Sequence, residues 1–279
     1  MLLYALRRSV ELGRRSPVKL FKAFTLDGWR SFGMLIREGQ RLGKKSKLSK
    51  QERARLREER RRGKFKSERW SHEGDLSRRR YDSYEDYVRH QKSKLEKLEH
   101  ILVDEHDPRV GGFRKRFELL VELAPHASVL CLAARLGHEV EAFISLGHFA
   151  VGIDLNPGEG NRYVMSGDFH SLTFAPDSVD CVYTNSLDHV FELEKLMREV
   201  HRVLKPGGWF VTDLYPGYDE GFIAGEYEAT HWATAKTFAE KLSAVSGLNL
   251  AATRDLTSLG VRNGLQCMLR KGLGTGGSK

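Results

Sequence analysis

Asp154, Asp168 and the pair Asp188-His189 each stand at or just beyond the end of a short apolar run in the second half of a 279-residue chain. Side chains so placed, beyond the carboxyl ends of strands, bind ligands and move protons in an open parallel sheet. The first run, Val129–Ala133, ends in a turn that opens a helix at Gly137. The second, Ala150–Ile153, ends in Asp154, which follows Ala134 by 20 positions. An acid at that distance from a strand–turn–helix start accepts hydrogen bonds from ribose hydroxyls. The third reaches Gly167-Asp168, and a fourth, VDCVYTN, leads into Asn185-Ser186-Leu187-Asp188-His189. The order of these clusters is that of a nucleoside-cofactor site.

Positioning them requires strands and helices in alternation. The apolar pattern predicts strands over 128–133, 148–154, 163–166, 179–184 and 209–214, and two final strands over 248–255 and 265–270. Helices are expected over 138–146, 191–204 and 234–246. Such alternation makes a parallel sheet covered on both faces. The connections after Asp154 and after Asp168 are too short to hold a helix well, so one face should be thinly covered and open to packing by the N-terminal part. Upstream, Tyr84, Tyr87, Val88, Leu95, Leu98 and Leu102 recur at helical spacing and mark one apolar face over 81–102. A second amphipathic helix is expected over 113–123, before Pro125.

The strand end at Asp154, the Gly167-Asp168 pair, the VDCVYTN strand and above all LKPGGWFVTD resemble the class I S-adenosylmethionine-dependent methyltransferases, in their type 11-like form. The likeness covers about residues 113–271 and none of the first hundred. It implies an α/β, Rossmann-like sheet of seven strands in the order 3-2-1-4-5-7-6, the last strand antiparallel, behind a helical N-terminal extension. It implies S-adenosyl-L-methionine as cofactor. Asp154 would hold the ribose, Leu155 would border the adenosine, and Asp168 would accept from the adenine amino group with Phe169 on or near the ring; a plain turn acid is the other reading of Asp168. Asn185 and Ser186 would lie near the transferred methyl. The helix over 81–102 would cover the cofactor and bring Tyr87, His90, Gln91 and Lys94 close, or it is an ordinary amphipathic helix.

The first turn departs from the family pattern of an acid followed by G-x-G-x-G. CLAARLG has Cys131, Ala133 and Arg135 in place of the acid and the first two glycines, and keeps Gly137. Arg135 must point away or reach the methionine carboxylate as a charged donor. Gly137 and the helix start behind it would offer N–H groups, and Glu139 would cap that helix.

Transfer to a hydroxyl needs a base. His189 or Asp188 is the candidate, since imidazole titrates near neutral pH; a cap for the helix over 191–204 is the alternative for His189. No N-P-P-Y or Pro-Cys motif stands here, which counts against methylation of nucleic-acid bases. The stretch from Tyr215 to Trp232, with Tyr218, Tyr227 and His231, suits a polyhydroxylated or aromatic acceptor, or a packed lid. No clean metal-ligand spacing occurs.

Charge divides the chain. Residues 1–110 carry 30 Lys and Arg against 17 Asp and Glu, a net of +13, and the remainder is mildly acidic. The reading is therefore a basic helical or partly disordered extension over 1–80, a helix over 81–110 capping the cofactor site, and a methyltransferase domain over 111–279. The extension would be a solvated spacer, an anchor on an anionic membrane face, or an arm for nucleic acid. Residues 1–25 also have the Arg-rich, acid-poor composition of a transit peptide. No apolar run reaches 18 residues, and three isolated cysteines fit a reducing cytoplasm. The expected activity is O-methylation of a small molecule or a glycan. The alternatives are a cofactor-binding relative that transfers nothing and an RNA methyltransferase.

Overall fold

The computed structural model describes residues 49–67 and 69–273. Residues 1–48 of the extension expected over 1–80 lie outside them. Two compact units divide at residue 60, Met1–Arg60 and Arg61–Lys279. Helix α1 (Lys50–Phe65) starts with a reciprocal cap: Ser49 N–H donates to Glu52 Oε2 at 2.7 Å, and Glu52 N–H to Ser49 Oγ at 3.1 Å. No helix among the described residues is long and apolar enough to cross a membrane.

The solvated helix expected in this part of the chain is α1, exposed over 51–64; beyond it the chain forms a hairpin. Strands β1 (Trp70–Glu73) and β2 (Leu76–Arg79) pair antiparallel across a two-residue turn in which Gly74 takes a positive φ of 58°. β2 then pairs with β8 (Thr230–Trp232), from the far end of the chain. Arg78 and Arg79, which read as surface charge, instead hold this sheet down. Arg78 Nη2 meets Glu194 Oε1 at 2.8 Å, and Arg79 donates to the carbonyls of Glu228 and Gly225. A chain beginning at residue 81 would expose the faces buried by Trp70, Leu76 and Trp232. Its melting temperature is expected to fall about 5 °C or more below that of a chain beginning at residue 61, as circular dichroism would show.

The main sheet holds β3 (Ser128–Leu132), β4 (Phe149–Asp154), β5 (Val164–Ser166), β6 (Val179–Thr184), β7 (Leu204–Leu214), β9 (Asn249–Asp255) and β10 (Leu265–Arg270). Its order is β5-β4-β3-β6-β7-β10-β9, with β10 antiparallel to both neighbours. This is the expected seven-stranded, Rossmann-like order. Because side chains alternate along a strand, β3 sends Leu130 and Leu132 to one face and Val129 and Cys131 to the other. Helices α5 (Leu193–Val203) and α6 (Ala235–Ser246) cover the first face; α5 does so with Leu193, Leu196, Met197 and Val200 at helical spacing. Helices α3 (His106–Phe117) and α4 (His138–Ser145) cover the second, where Phe117 stacks on Phe143 with ring centres 3.8 Å apart.

Three local expectations are corrected. The helix read over 113–123 is α3, which starts seven residues earlier and ends at Phe117. Pro108 sits in its first turn, where no N–H is needed, so the boundary drawn at 110/111 falls inside a helix. Lys205–Gly208 does not separate helix from strand: β7 begins at Leu204 and bulges, so that Leu204 pairs with Val179 and Trp209 with Cys181. Gly207, at φ 78°, donates to Lys271 O in this bulge. The loops before and after β5 carry no helix, as their lengths required. The segment that answers to them, α2 (Tyr84–Asp104), lies over the carboxyl ends of the strands, not on a sheet face: it contacts Asn156, Asp168 and His189.

Candidate functional site

The site begins at the turn after β3. Ala133 (φ 55°), Arg135 (φ 47°) and Gly137 (φ 90°) all adopt left-handed conformations. The turn keeps the backbone that glycines would relax, at about 1–2 kcal/mol for each of the two residues carrying a Cβ. Long-range bonds hold it. Arg135 N–H donates to Asp154 Oδ2 at 3.0 Å, and Asn161 Nδ2 donates to Arg135 O at 3.1 Å while Asn161 Oδ1 accepts from Tyr163 and Val164. Asn161 was not singled out in the sequence; it lies in a loop with no motif. Gly152 on β4 is required for contact, because a Cβ there would lie 2.7 Å from Ala134 Cβ.

Two cavities open at this edge, of about 280 and 40 Å³. Ala133, Arg135, Ser186, His189 and Lys94 line both, so the two adjoin. Asp154, Leu155 and Phe169 line the smaller, together with Tyr87 and Leu95 of α2. Asn185 and Asp188 line the larger, with Arg109, Phe113, Tyr215 and Glu228. Asp154 Oδ1 accepts from Asn156 N–H at 2.8 Å, and burial raises its pKa. The Arg135 guanidinium makes no hydrogen bond to a described residue. The smaller cavity thus offers a carboxylate for vicinal hydroxyls and apolar walls for a base. The adjoining guanidinium would suit a ligand carboxylate.

Gly137 and Asp168 line neither cavity. Gly137 N–H is taken by Ala134 O at 2.7 Å, and a Cβ there would crowd Tyr163 and Val164, so its part is backbone geometry and packing. Asp168 is a clasp on α2. Its Oδ2 accepts from Tyr84 Oη, and its Oδ1 from His170 N–H at 2.8 Å and His170 Nδ1 at 3.0 Å. Burial would raise this carboxyl, but the hydrogen bonds from His170 and Tyr84 prevail and hold its pKa at about 2. His170 Nε2 accepts from Glu192 N–H at 3.1 Å, which caps α5. The cap proposed for His189 is therefore supplied by His170. Glu139, in the first turn of α4, is buried, lines the larger cavity, and is pushed by burial to a pKa of about 8, a hydrogen bond from its own backbone N–H acting the other way.

His189 sits in a short 3₁₀ turn after β6. Its Nδ1 lies 2.9 Å from Tyr227 O, a pure acceptor, so Nδ1 carries the proton. Nε2 then accepts from Lys94 Nζ at 2.5 Å, with Asp188 Oδ2 at 3.7 Å. Burial and the Lys94 charge keep the imidazole neutral. Asp188 is raised by burial, with Lys94 acting the other way. Burial, with Arg135 beside it, lowers Lys94 to about 8. Of the aromatic stretch after β7, Tyr215 faces the larger cavity. Trp232 stacks on Phe238 in the core, His231 and Tyr218 pack on Phe65, and Tyr227 stacks on His90. Among the described residues no group of His, Cys, Asp or Glu has the arrangement of a metal site.

Residues 130–212 match the family model described as "Methyltransferase domain". The sterol 24-C-methyltransferase erg-4 of Neurospora crassa is 37% identical over 75 residues, 24% of this chain and 19% of that protein. The demethylmenaquinone methyltransferase of Corynebacterium urealyticum is 32% identical over 118 residues, 38% of this chain and 51% of that one. The chain therefore spans about half or less of the length of these curated relatives. In structure it is similar to the Burkholderia thailandensis 1,6-didemethyltoxoflavin-N1-methyltransferase with bound 1,6-didemethyltoxoflavin and S-adenosylhomocysteine. That likeness has a TM-score of 0.52 at 16% identity, over 73% of this chain and 99% of that one, and it concerns the fold.

Proposed function

We propose, for a chain that belongs to the class I S-adenosylmethionine-dependent methyltransferase family, that it binds S-adenosyl-L-methionine across the two adjoining cavities and methylates an oxygen of a small hydroxylated molecule or a glycan. The observation that carries this is Asp154 at the end of β4, in the wall of a cavity that adjoins a second, more polar one. The cofactor, when bound, supplies an electrophilic methyl group on a sulfonium. Asp154 would hold the ribose hydroxyls, Leu155 and Phe169 would flank the adenine, and Arg135 would take the methionine carboxylate. Asn185, Ser186, Asp188 and His189 border the space left for the acceptor.

Support for a small acceptor comes from the relatives, whose names speak of a sterol and of demethylmenaquinone, and from the 1,6-didemethyltoxoflavin bound in the similar structure. Support for a polar one is local: Lys94, Arg109, Arg135, Glu139, Asp188 and Glu228 all face the larger cavity. Peripheral attachment of the basic extension to an anionic membrane belongs to the same proposal and predicts salt-sensitive sedimentation with anionic vesicles.

Calorimetric titration with S-adenosylmethionine and S-adenosylhomocysteine tests the reading: micromolar binding supports it, and no binding overturns it. Arg135→Gly separates two functions of one residue. It is expected to weaken binding about tenfold through loss of the guanidinium. The free protein should keep its stability or gain up to about 1 kcal/mol, because the left-handed backbone is relieved. Melting curves with and without ligand would show both effects.

A further inference from the structure

Three of the residues that line both cavities carry basic nitrogen: Lys94, Arg135 and His189. A guanidinium serves there as a fixed cation. His189 has no nitrogen to spare, since Nδ1 is committed to Tyr227 O and Nε2 to Lys94 Nζ. Lys94 differs. It reaches the junction from α2, so its Nζ stands between the space for a nucleoside and the space for an acceptor, oriented by the hydrogen bond it donates to His189 Nε2.

We infer that Lys94 Nζ receives the proton of the acceptor hydroxyl, with His189 as its positioning residue; the inference rests on the methyl-transfer reading above. As the hydroxyl oxygen bonds to the methyl carbon, its proton passes to the neutral amine. The carbon–sulfur bond breaks and its electron pair stays with sulfur. The ammonium then returns its proton to solvent, and charge balances throughout.

The groups that face the amine set its protonation. His189 and Asp188 come from the segment after β6, Arg135 from the turn after β3, Asp154 from the end of β4, and Glu228 from the segment after β7. The Tyr227 ring centre is 5.7 Å from Nζ. Burial and Arg135 oppose the ammonium; Asp188, Glu228 and Asp154 favour it, and burial prevails to bring Lys94 to about 8. A neutral amine is then available in mildly alkaline solution, where an ordinary lysine is protonated. Ionised Asp188 is the weaker base toward an alcohol and serves as counter-ion.

The test uses the full chain with carbon-13 at lysine Cε, the Lys94 signal being assigned by its absence in Lys94→Met. The free protein should show a midpoint at about 8. With S-adenosylmethionine bound, the midpoint should lie at least about 0.7 unit below that with S-adenosylhomocysteine, the effect of a unit charge ~4 Å away even at the dielectric of water. His189→Leu should lower the midpoint further, because the ammonium loses its acceptor, and His189→Asn should restore part of it. A midpoint above about 10, or the same midpoint with both compounds, overturns the assignment to Lys94. A midpoint indifferent to His189 overturns the positioning role. Failure of both compounds to bind is a separate result: it removes the methyl-transfer reading and this inference with it.

Discussion

Asp154→Ala is expected to weaken binding of S-adenosylhomocysteine about 100-fold or more while leaving the protein folded. A carboxylate that accepts from two hydroxyls makes two charge-assisted hydrogen bonds, each contributing about 1.5–3 kcal/mol, and 1.4 kcal/mol corresponds to a factor of ten. The substitution also releases Arg135 N–H and Asn156 N–H, now held at 3.0 and 2.8 Å, which loosens the turn on the other side of the ligand. Asp154→Asn keeps an acceptor and should lose less. The charge must be present to act, and burial raises this carboxyl above the usual aspartate range. Binding should therefore weaken as pH falls through that raised pKa, at a higher pH than an exposed aspartate would give. Titration calorimetry of the three proteins across pH measures all of this, and unchanged affinity in Asp154→Ala would remove the proposed cofactor site.

The largest effect on stability is expected at a second strand-end aspartate. Asp213 is 4% exposed at the end of β7 and accepts from Arg116 Nη1 at 2.6 Å, Tyr183 Oη at 2.8 Å and Gln266 Nε2 at 3.0 Å. Asp213→Ala leaves the Arg116 charge and two neutral donors in the interior without their acceptor. The expected loss is about 3–5 kcal/mol, read from urea unfolding. The double variant Asp213→Leu with Arg116→Leu should recover much of it, since a paired charge contributes little net stability over apolar packing. A loss below about 1 kcal/mol in the single variant would show that the network is not maintained in solution.

These two aspartates mark how far the sequence could be read. Both end apolar strands, and nothing in their local pattern separates them. Asp154 faces a cavity because the turn after β3 passes beside it and leaves room beyond. Asp213 is filled from three sides by α3, β6 and β10. Spacing to the Ala134 turn put Asp154 forward for the ribose, and it lines the smaller cavity; likeness to the family put Asp168 forward for the adenine, and its oxygens accept from Tyr84 and His170. The second residue of a Gly-Asp pair carries no mark of whether its partner will be a ligand or a helix arriving from more than eighty residues upstream.

What the sequence determined by itself was local and periodic. Alternation and helical spacing located the strands of the main sheet and the helices over 138–146, 191–204 and 234–246 to within a few residues, because burial on one face imposes its period directly on the residues. Motif likeness then supplied the sheet order. Tertiary structure alone decided what depends on distant partners. It paired the Arg-rich hairpin at 70–79 with Thr230–Trp232, gave the α5 cap to His170, and brought Lys94 from α2 to His189 across the cavity. Such contacts leave no repeat in the chain. A charged residue written among charged neighbours reads as solvated until the fold shows what stands opposite it.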